Sequence, residues 1–169
     1  MRFAVLAAAL ALTACGGEPQ RAAEETPAPA ATPAPEPDAS LDELSEADVS
    51  GAELAGELAC SFRRAQGEGT LFLGRGDVVD TAGAEAVVKL GGAVRQLAMA
   101  GEGGYDAMAD GARFEGEGIA LAIAKSGDEP IAEDPQVAME SPIYPAVMTV
   151  VAGPGQEERA IQGLLECGP

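Results

Sequence analysis

Apolar residues alternate with polar or small residues in short runs along much of the chain. One such run covers residues 58–63 and another covers residues 114–124. A period of two is typical of β-strands that bury one face. Further short apolar or β-branched segments, most of them bounded by glycine, lie at residues 70–73, 78–81, 86–90, 94–99, 144–152 and 160–167. The pattern therefore predicts seven or eight short strands.

Glycine pairs mark the turns between these segments. Gly91-Gly92 lies between two apolar runs and predicts a two-residue hairpin. Gly116 and Gly118 predict a bend or bulge within a single strand over residues 114–124. Short strands at close spacing, with glycine turns and no long amphipathic helix, are typical of a small antiparallel barrel or sandwich. We therefore predict a mainly β fold for a single domain, residues 41–169.

Two serine–glutamate pairs precede the first long strand. Ser40 with Glu43, and Ser50 with Glu53, have the S-x-x-E spacing of a helix capping box. We therefore expect one or two short helical turns before residue 57.

Proline, alanine, glutamate and threonine make up most of residues 18–39, which contain six prolines. Such a segment has little apolar surface to bury, and each proline removes a backbone donor. The composition predicts a disordered Pro/Ala-rich tether with an extended reach of about 3 Å per residue.

The first fourteen residues have the layout of a secretory signal peptide. Arg2 precedes an apolar run over residues 3–12, which is too short to span a bilayer. The following Leu12-Thr13-Ala14-Cys15 resembles the lipobox of bacterial lipoproteins. The resemblance implies cleavage before Cys15, acylation of its thiol and amino group, and a lipidated tether over residues 15–40. Because Gly16, not aspartate, follows the cysteine, the resemblance favours the periplasmic face of the outer membrane over the inner membrane.

Acidic residues strongly outnumber basic ones, and the formal net charge is −18. Phosphate backbones would be repelled, so nucleic acid is excluded as a main partner. Anionic lipid surfaces are equally unfavourable, so we expect membrane attachment through the lipid anchor. A cationic protein partner would instead be attracted and steered to the domain.

Two cysteines, Cys60 and Cys167, remain once Cys15 is assigned to lipid, and an exported chain is expected to pair them in a disulfide. The chain contains no histidine, which excludes Ser-His-Asp and Cys-His nucleophiles and makes a zinc centre unfavourable. It also lacks a phosphate-binding G-x-x-x-x-G-K-[ST] loop. We therefore expect neither an enzyme nor a cofactor.

One acidic stretch has a partial calcium-loop spacing. Asp106, Asp110 and Glu117 occupy positions 1, 5 and 12 of an EF-hand-like loop, with Gly111 at position 6. Position 3 is Met108, which cannot coordinate a hard cation. The alternative is a plain turn at residues 110–111 that leads into the next strand.

The same stretch, Asp110-Gly111-Ala112-Arg113-Phe114, resembles the Ser-Gly-x-x-x-Tyr signature of periplasmic and membrane-bound inhibitors of c-type lysozyme. Asp110 and Phe114 stand in place of the serine and tyrosine, and we assign no counterpart to the downstream tryptophan and lysine of that family. The resemblance implies a small β-barrel with a disulfide near its ends. It also implies a partner loop formed by Asp110, Gly111, Arg113 and Phe114.

The C-terminal part, from Tyr144-Pro145 to Cys167-Gly168, is similar to bacterial lipoproteins that have a Tyr-Pro strand and a terminal cysteine. The sequence thus predicts a membrane-anchored periplasmic lipoprotein that acts as a binding or envelope-associated module without identifying its partner. Inhibition of c-type lysozyme is one alternative, and calcium binding is a second.

Overall fold

The computed structural model of the chain describes residues 40–78, 81–131, 141–153 and 155–169. The predicted signal peptide, Cys15 and nearly all of the predicted tether lie outside these residues. The strands of the described part are β1 (Leu41–Asp42), β2 (Leu58–Arg63), β3 (Phe72–Gly76), β4 (Glu85–Leu90), β5 (Ala93–Met99), β6 (Arg113–Gly116), β7 (Ile119–Lys125), β8 (Ile143–Ala152) and β9 (Arg159–Gly168). The helices there are α1 (Glu46–Gly51) and α2 (Gly104–Asp110).

Strands β2 to β9 form a closed eight-stranded barrel. Each strand pairs antiparallel with the next in sequence, and β9 returns to pair with β2. Closure leaves the barrel without free edges along these pairings. The extra strand β1 adds to the end of β4, where Leu41 pairs with Leu90. The predicted mainly β antiparallel barrel is therefore confirmed.

Large apolar side chains fill the barrel interior. Phe72 and Phe114 meet edge to face, with ring centroids 5.0 Å apart. The other largest fully buried side chains of this core are Phe62, Leu71, Met108, Met148, Leu165 and Val88. An eight-stranded barrel is just wide enough either to be filled by side chains or to hold one small ligand. Here the side chains fill it.

Helix α2 closes one end of the barrel, which we call the α2 end. Met108 of this helix is buried in the core, opposite Gly74 of β3. A Cβ atom at Gly74 would lie 2.5 Å from the Met108 sulfur, and one at Gly76 would lie 2.8 Å from the Tyr105 nitrogen. Because side chains at these two positions would collide with α2, the glycines allow the helix to pack directly on β3.

Strand β1 lies at the opposite end, which we call the β1 end. Leu41 pairs beside the Gly91-Gly92 hairpin, whereas α2 follows the other end of β5. Gly91 and Gly92 have φ of 56° and 76°, as a type I′ turn requires, so the predicted hairpin is present. The described chain thus enters the barrel at the end opposite α2.

Helix α1 begins with a different cap from those predicted. Ser45 is the N-cap residue, and its hydroxyl and backbone N–H form a reciprocal capping box with Asp48. Ser40 does not cap a helix as predicted, because the adjacent Leu41 belongs to a strand that pairs with β4. Ser50 is not an N-cap residue either, because it lies inside α1.

Two predicted strand boundaries were also wrong. Residues 114–124 form the separate strands β6 and β7, because Glu117 and Gly118 have φ of 47° and 78° and reverse the chain. Asp77 and Val78 lie outside any strand, and residues 79–80 lie outside the described part. Helix α2 was not predicted, since alternating strands dominate the pattern around it. No helix among the described residues is long and apolar enough to cross a membrane.

Candidate functional site

The predicted partner loop, residues 110–114, lies at the α2 end between α2 and β6. The Asp110 side chain is 87% exposed, and Arg113 is also exposed. Phe114, by contrast, is completely buried against Phe72. Phe114 is therefore not available to a partner, contrary to its place in the predicted loop. Its ring holds the end of the loop in the core.

Gly111 fixes the path of this loop. It terminates α2 with φ of 110° and ψ of 125°, and its N–H donates to the Met108 carbonyl at 3.2 Å. A Cβ atom at this position would lie 2.8 Å from the Ile123 carbonyl oxygen. The neighbouring Ala112 carbonyl accepts the Ile123 N–H at 2.9 Å. Only glycine fits this backbone without strain, and the loop is held against β7.

Lys125 lies directly beside the loop. Its Nζ donates to Asp110 Oδ1 at 3.2 Å and lies 4.7 Å from the centre of the Tyr144 ring. The Lys125 side chain is only 22% exposed. A lysine ammonium over a tyrosine face is attracted by the ring quadrupole. The carboxylate and the ring thus hold the cation in one position at the barrel rim.

Two tyrosines accompany this lysine. Tyr144 is on β8, and Tyr105 is on the first turn of α2; both are half-buried. Burial raises the pKa of the Tyr105 hydroxyl, and the charges of Asp106 and Tyr144 raise it further. The Tyr105 phenol therefore stays neutral at physiological pH. Tyrosine, with an apolar ring and a polar hydroxyl, is a residue type enriched in protein interfaces.

We call Tyr105, Asp110, Arg113, Lys125 and Tyr144 the α2-end surface. It combines one fully presented carboxylate, an exposed guanidinium, a fixed ammonium and two aromatic rings. Comparison with protein-family models, curated proteins and solved structures finds no match for this chain. The properties of this surface therefore have to be argued from its own geometry.

The three carboxylates with calcium-loop spacing do not come together. Asp106 and Asp110 lie on α2, and β6 then carries the chain to Glu117 at the β1 end. There the Glu117 carboxylate accepts from Arg95 at 3.2 Å. Within the described ranges, no group of three or more His, Cys, Asp or Glu residues could hold a metal ion.

Cys60 and Cys167 occupy directly opposite positions on β2 and β9. Their sulfur atoms lie 2.05 Å apart, at disulfide distance, and both residues are buried. The pair lies across the seam where the last strand of the barrel meets the first. It therefore links strands that are 107 residues apart in sequence and lies near the α2 end.

Proposed function

We propose that this protein is a lipid-anchored periplasmic protein of the outer membrane that binds and inhibits c-type lysozyme through its α2-end surface. The observation that carries the proposal is the Lys125 ammonium, held 3.2 Å from the exposed Asp110 carboxylate on a conformationally fixed loop. The anchor rests on the lipobox resemblance of Leu12-Thr13-Ala14-Cys15.

The filled barrel favours a binding surface over an internal ligand site. Side chains occupy the space in which an open eight-stranded barrel would hold a small molecule. Function then depends on the groups that the barrel presents at its ends. Half-buried tyrosines and an exposed arginine are residue types enriched in protein interfaces, and both are found on the α2-end surface.

Net charge favours a cationic partner. Cleavage before Cys15 would remove a single charged residue, Arg2, and leave a mature chain near −19. Such a chain attracts basic proteins over long range and accelerates their association. C-type lysozymes are basic, so this electrostatic term favours the complex.

The chemistry of the lysozyme cleft suits a fixed ammonium. Retaining glycosidases of this kind use two carboxyl groups about 5–5.5 Å apart, one protonated and one ionised. Lys125 could form an ion pair with the ionised carboxylate, and the Asp110 carboxyl could accept from the protonated one. Together they would occupy the position of the scissile sugar bond and exclude substrate.

The geometry of the barrel also suits an anchored inhibitor. The described chain begins at the β1 end, where Leu41 pairs with Leu90, and the loop lies at the α2 end. A tether that enters at one end leaves the opposite end open to an incoming protein. Its reach of about 3 Å per residue would allow the barrel to stand away from the membrane.

The proposal is tested by the turbidity of bacterial cells during lysis by c-type lysozyme. The mature chain, residues 15–169 with Cys15→Ser, is added in increasing molar ratio. We expect inhibition near equimolar ratio that weakens as the salt concentration rises. An unrelated protein of equal negative charge serves as control and should leave lysis unchanged. Undiminished lysis at a large molar excess would remove the proposal.

A further inference from the structure

The β1 end of the barrel contains a cavity unrelated to the α2-end surface. Its volume is about 420 Å³, which lies within the range of clefts that bind small ligands. Its apolar wall is formed by Leu41, Val150 and Ile161, and Arg64 and Arg159 also line it. Ser40, the first described residue, completes the rim.

The barrel register explains why apolar and cationic groups meet here. Val150 is buried on the inner face of β8, and its partner across the ladder is Arg159, the first residue of β9. Arg64 directly follows β2, which pairs with the same strand. The strands thus end with two arginines beyond an apolar interior.

Two arginines at one cavity are unusual in so acidic a chain. Lys+Arg number only 10 against 28 Asp+Glu. Arg63, Lys89, Arg95 and Lys125 each form an ion pair with a described residue. Arg64 forms no ion pair with any described residue, and its side chain is exposed. A guanidinium group binds carboxylates and phosphates through two parallel hydrogen bonds.

We infer that this cavity binds a single-chain amphiphile with an anionic head. The head group contacts Arg64 and Arg159, and the first methylenes of the chain lie along Leu41, Val150 and Ile161. The volume accommodates on the order of a dozen water-sized groups, which suits a head and a short part of the chain. This ligand uses both halves of the lining, since a free anion would leave the apolar wall in contact with water and a neutral chain would leave Arg64 without a counter-charge.

The test is calorimetric titration of the mature chain with decanoate and, separately, with decyl phosphate, each below its micelle concentration. We expect at least one of the two anions to bind. The anion with the lower dissociation constant identifies the head group. Decyl maltoside supplies the same chain with a neutral head, and inorganic phosphate supplies an anion without a chain. Both should bind at least about 10-fold more weakly, since a charged hydrogen bond and a buried chain each contribute that much.

Matched variants assign the binding to this cavity. Arg64→Gln and Arg159→Gln should each weaken binding at least about 10-fold, because each removes a charged hydrogen bond. Arg75→Gln, the same change on an exposed arginine near the α2 end, should leave it unchanged. Arg64 is on the surface, so its variant remains informative even if Arg159→Gln impairs folding. The inference is overturned if neither anion binds, if decyl maltoside binds equally well, or if all three variants behave alike.

Discussion

Lys125 at the end of β7 and Asp110, the last residue of α2, form an ion pair, with Nζ and Oδ1 3.2 Å apart. Strands β6 and β7 turn at Glu117-Gly118, and Arg113 pairs with Ala122. The same register, continued outward, brings position 110 opposite position 125. The hairpin therefore creates the α2-end surface by joining the end of α2 to the end of β7.

Replacing Gly111 should damage this surface through the backbone. In Gly111→Ala the new Cβ would lie 2.8 Å from the Ile123 carbonyl, at a φ of 110° that alanine rarely adopts. We expect a loss of about 2–3 kcal/mol in the free energy of unfolding. The control is Gly118→Ala, which has φ of 78° but open space around it and should cost about 1 kcal/mol. Urea unfolding measures both, and equal losses would contradict the argument.

The Cys60–Cys167 bridge should contribute strongly to stability because it closes a long loop. The two cysteines are separated by 107 residues. Removing both in Cys60→Ala/Cys167→Ala should lower the free energy of unfolding by about 2–5 kcal/mol. Reductant should destabilise the parent chain and leave the double variant unchanged. Labelling of two free thiols in the folded, unreduced chain would show that the bridge is absent.

Acid should weaken the attachment of α1. The backbone N–H of Ser45 and the ammonium of Lys89 both donate to the Asp48 carboxylate and lower its pKa from 3.8 to about 2. Because the folded-state pKa is the lower one, this stabilisation is complete above about pH 4 and is lost as the pH falls through 2. Asp48→Asn should reduce the decline in stability between these pH values. Glu46→Gln, in the same turn, should not, and identical acid profiles for both variants would refute the assignment.

Membrane attachment should depend on Cys15 alone among the three cysteines. Cys15→Ser should move the chain from the membrane fraction to the soluble fraction and abolish incorporation of labelled palmitate. The Cys60→Ala/Cys167→Ala variant retains Cys15 and should remain in the membrane fraction. A Cys15→Ser chain that still sediments with membranes would disprove the proposed anchor.

The barrel could be predicted because its strands carry the alternation that a filled barrel requires. Buried residues alternate with less buried ones over residues 59–63 and 119–124, and Gly91-Gly92 supplies a turn whose positive φ values suit glycine. Helix α2 was missed because a seven-residue helix is held by packing on Gly74 and Gly76, not by its own pattern. Such tertiary contacts are not visible in local periodicity.

The α2-end surface was only half predictable. The predicted partner loop contains two of its residues, Asp110 and Arg113. It does not contain the other three, which are Tyr105, Lys125 and Tyr144. Reading residues 114–124 as a single bent strand concealed the register that brings Lys125 to Asp110. A turn assigned at Glu117-Gly118 would have revealed the pair, since hairpin register follows from the position of the turn. The prediction that Phe114 belongs to the partner loop was wrong, because an aromatic residue beside an exposed loop can point either into the core or into solvent.

The most direct test of the account is the inhibition constant of Lys125→Ala against c-type lysozyme. We expect inhibition at least about 30-fold weaker than that of the parent chain, because an interfacial ion pair loses its cation. The matched control is Lys89→Ala, which removes the ion-paired lysine of β4. This variant should inhibit lysozyme as strongly as the parent chain does. A Lys125→Ala chain that inhibits as strongly as the parent would contradict the central claim.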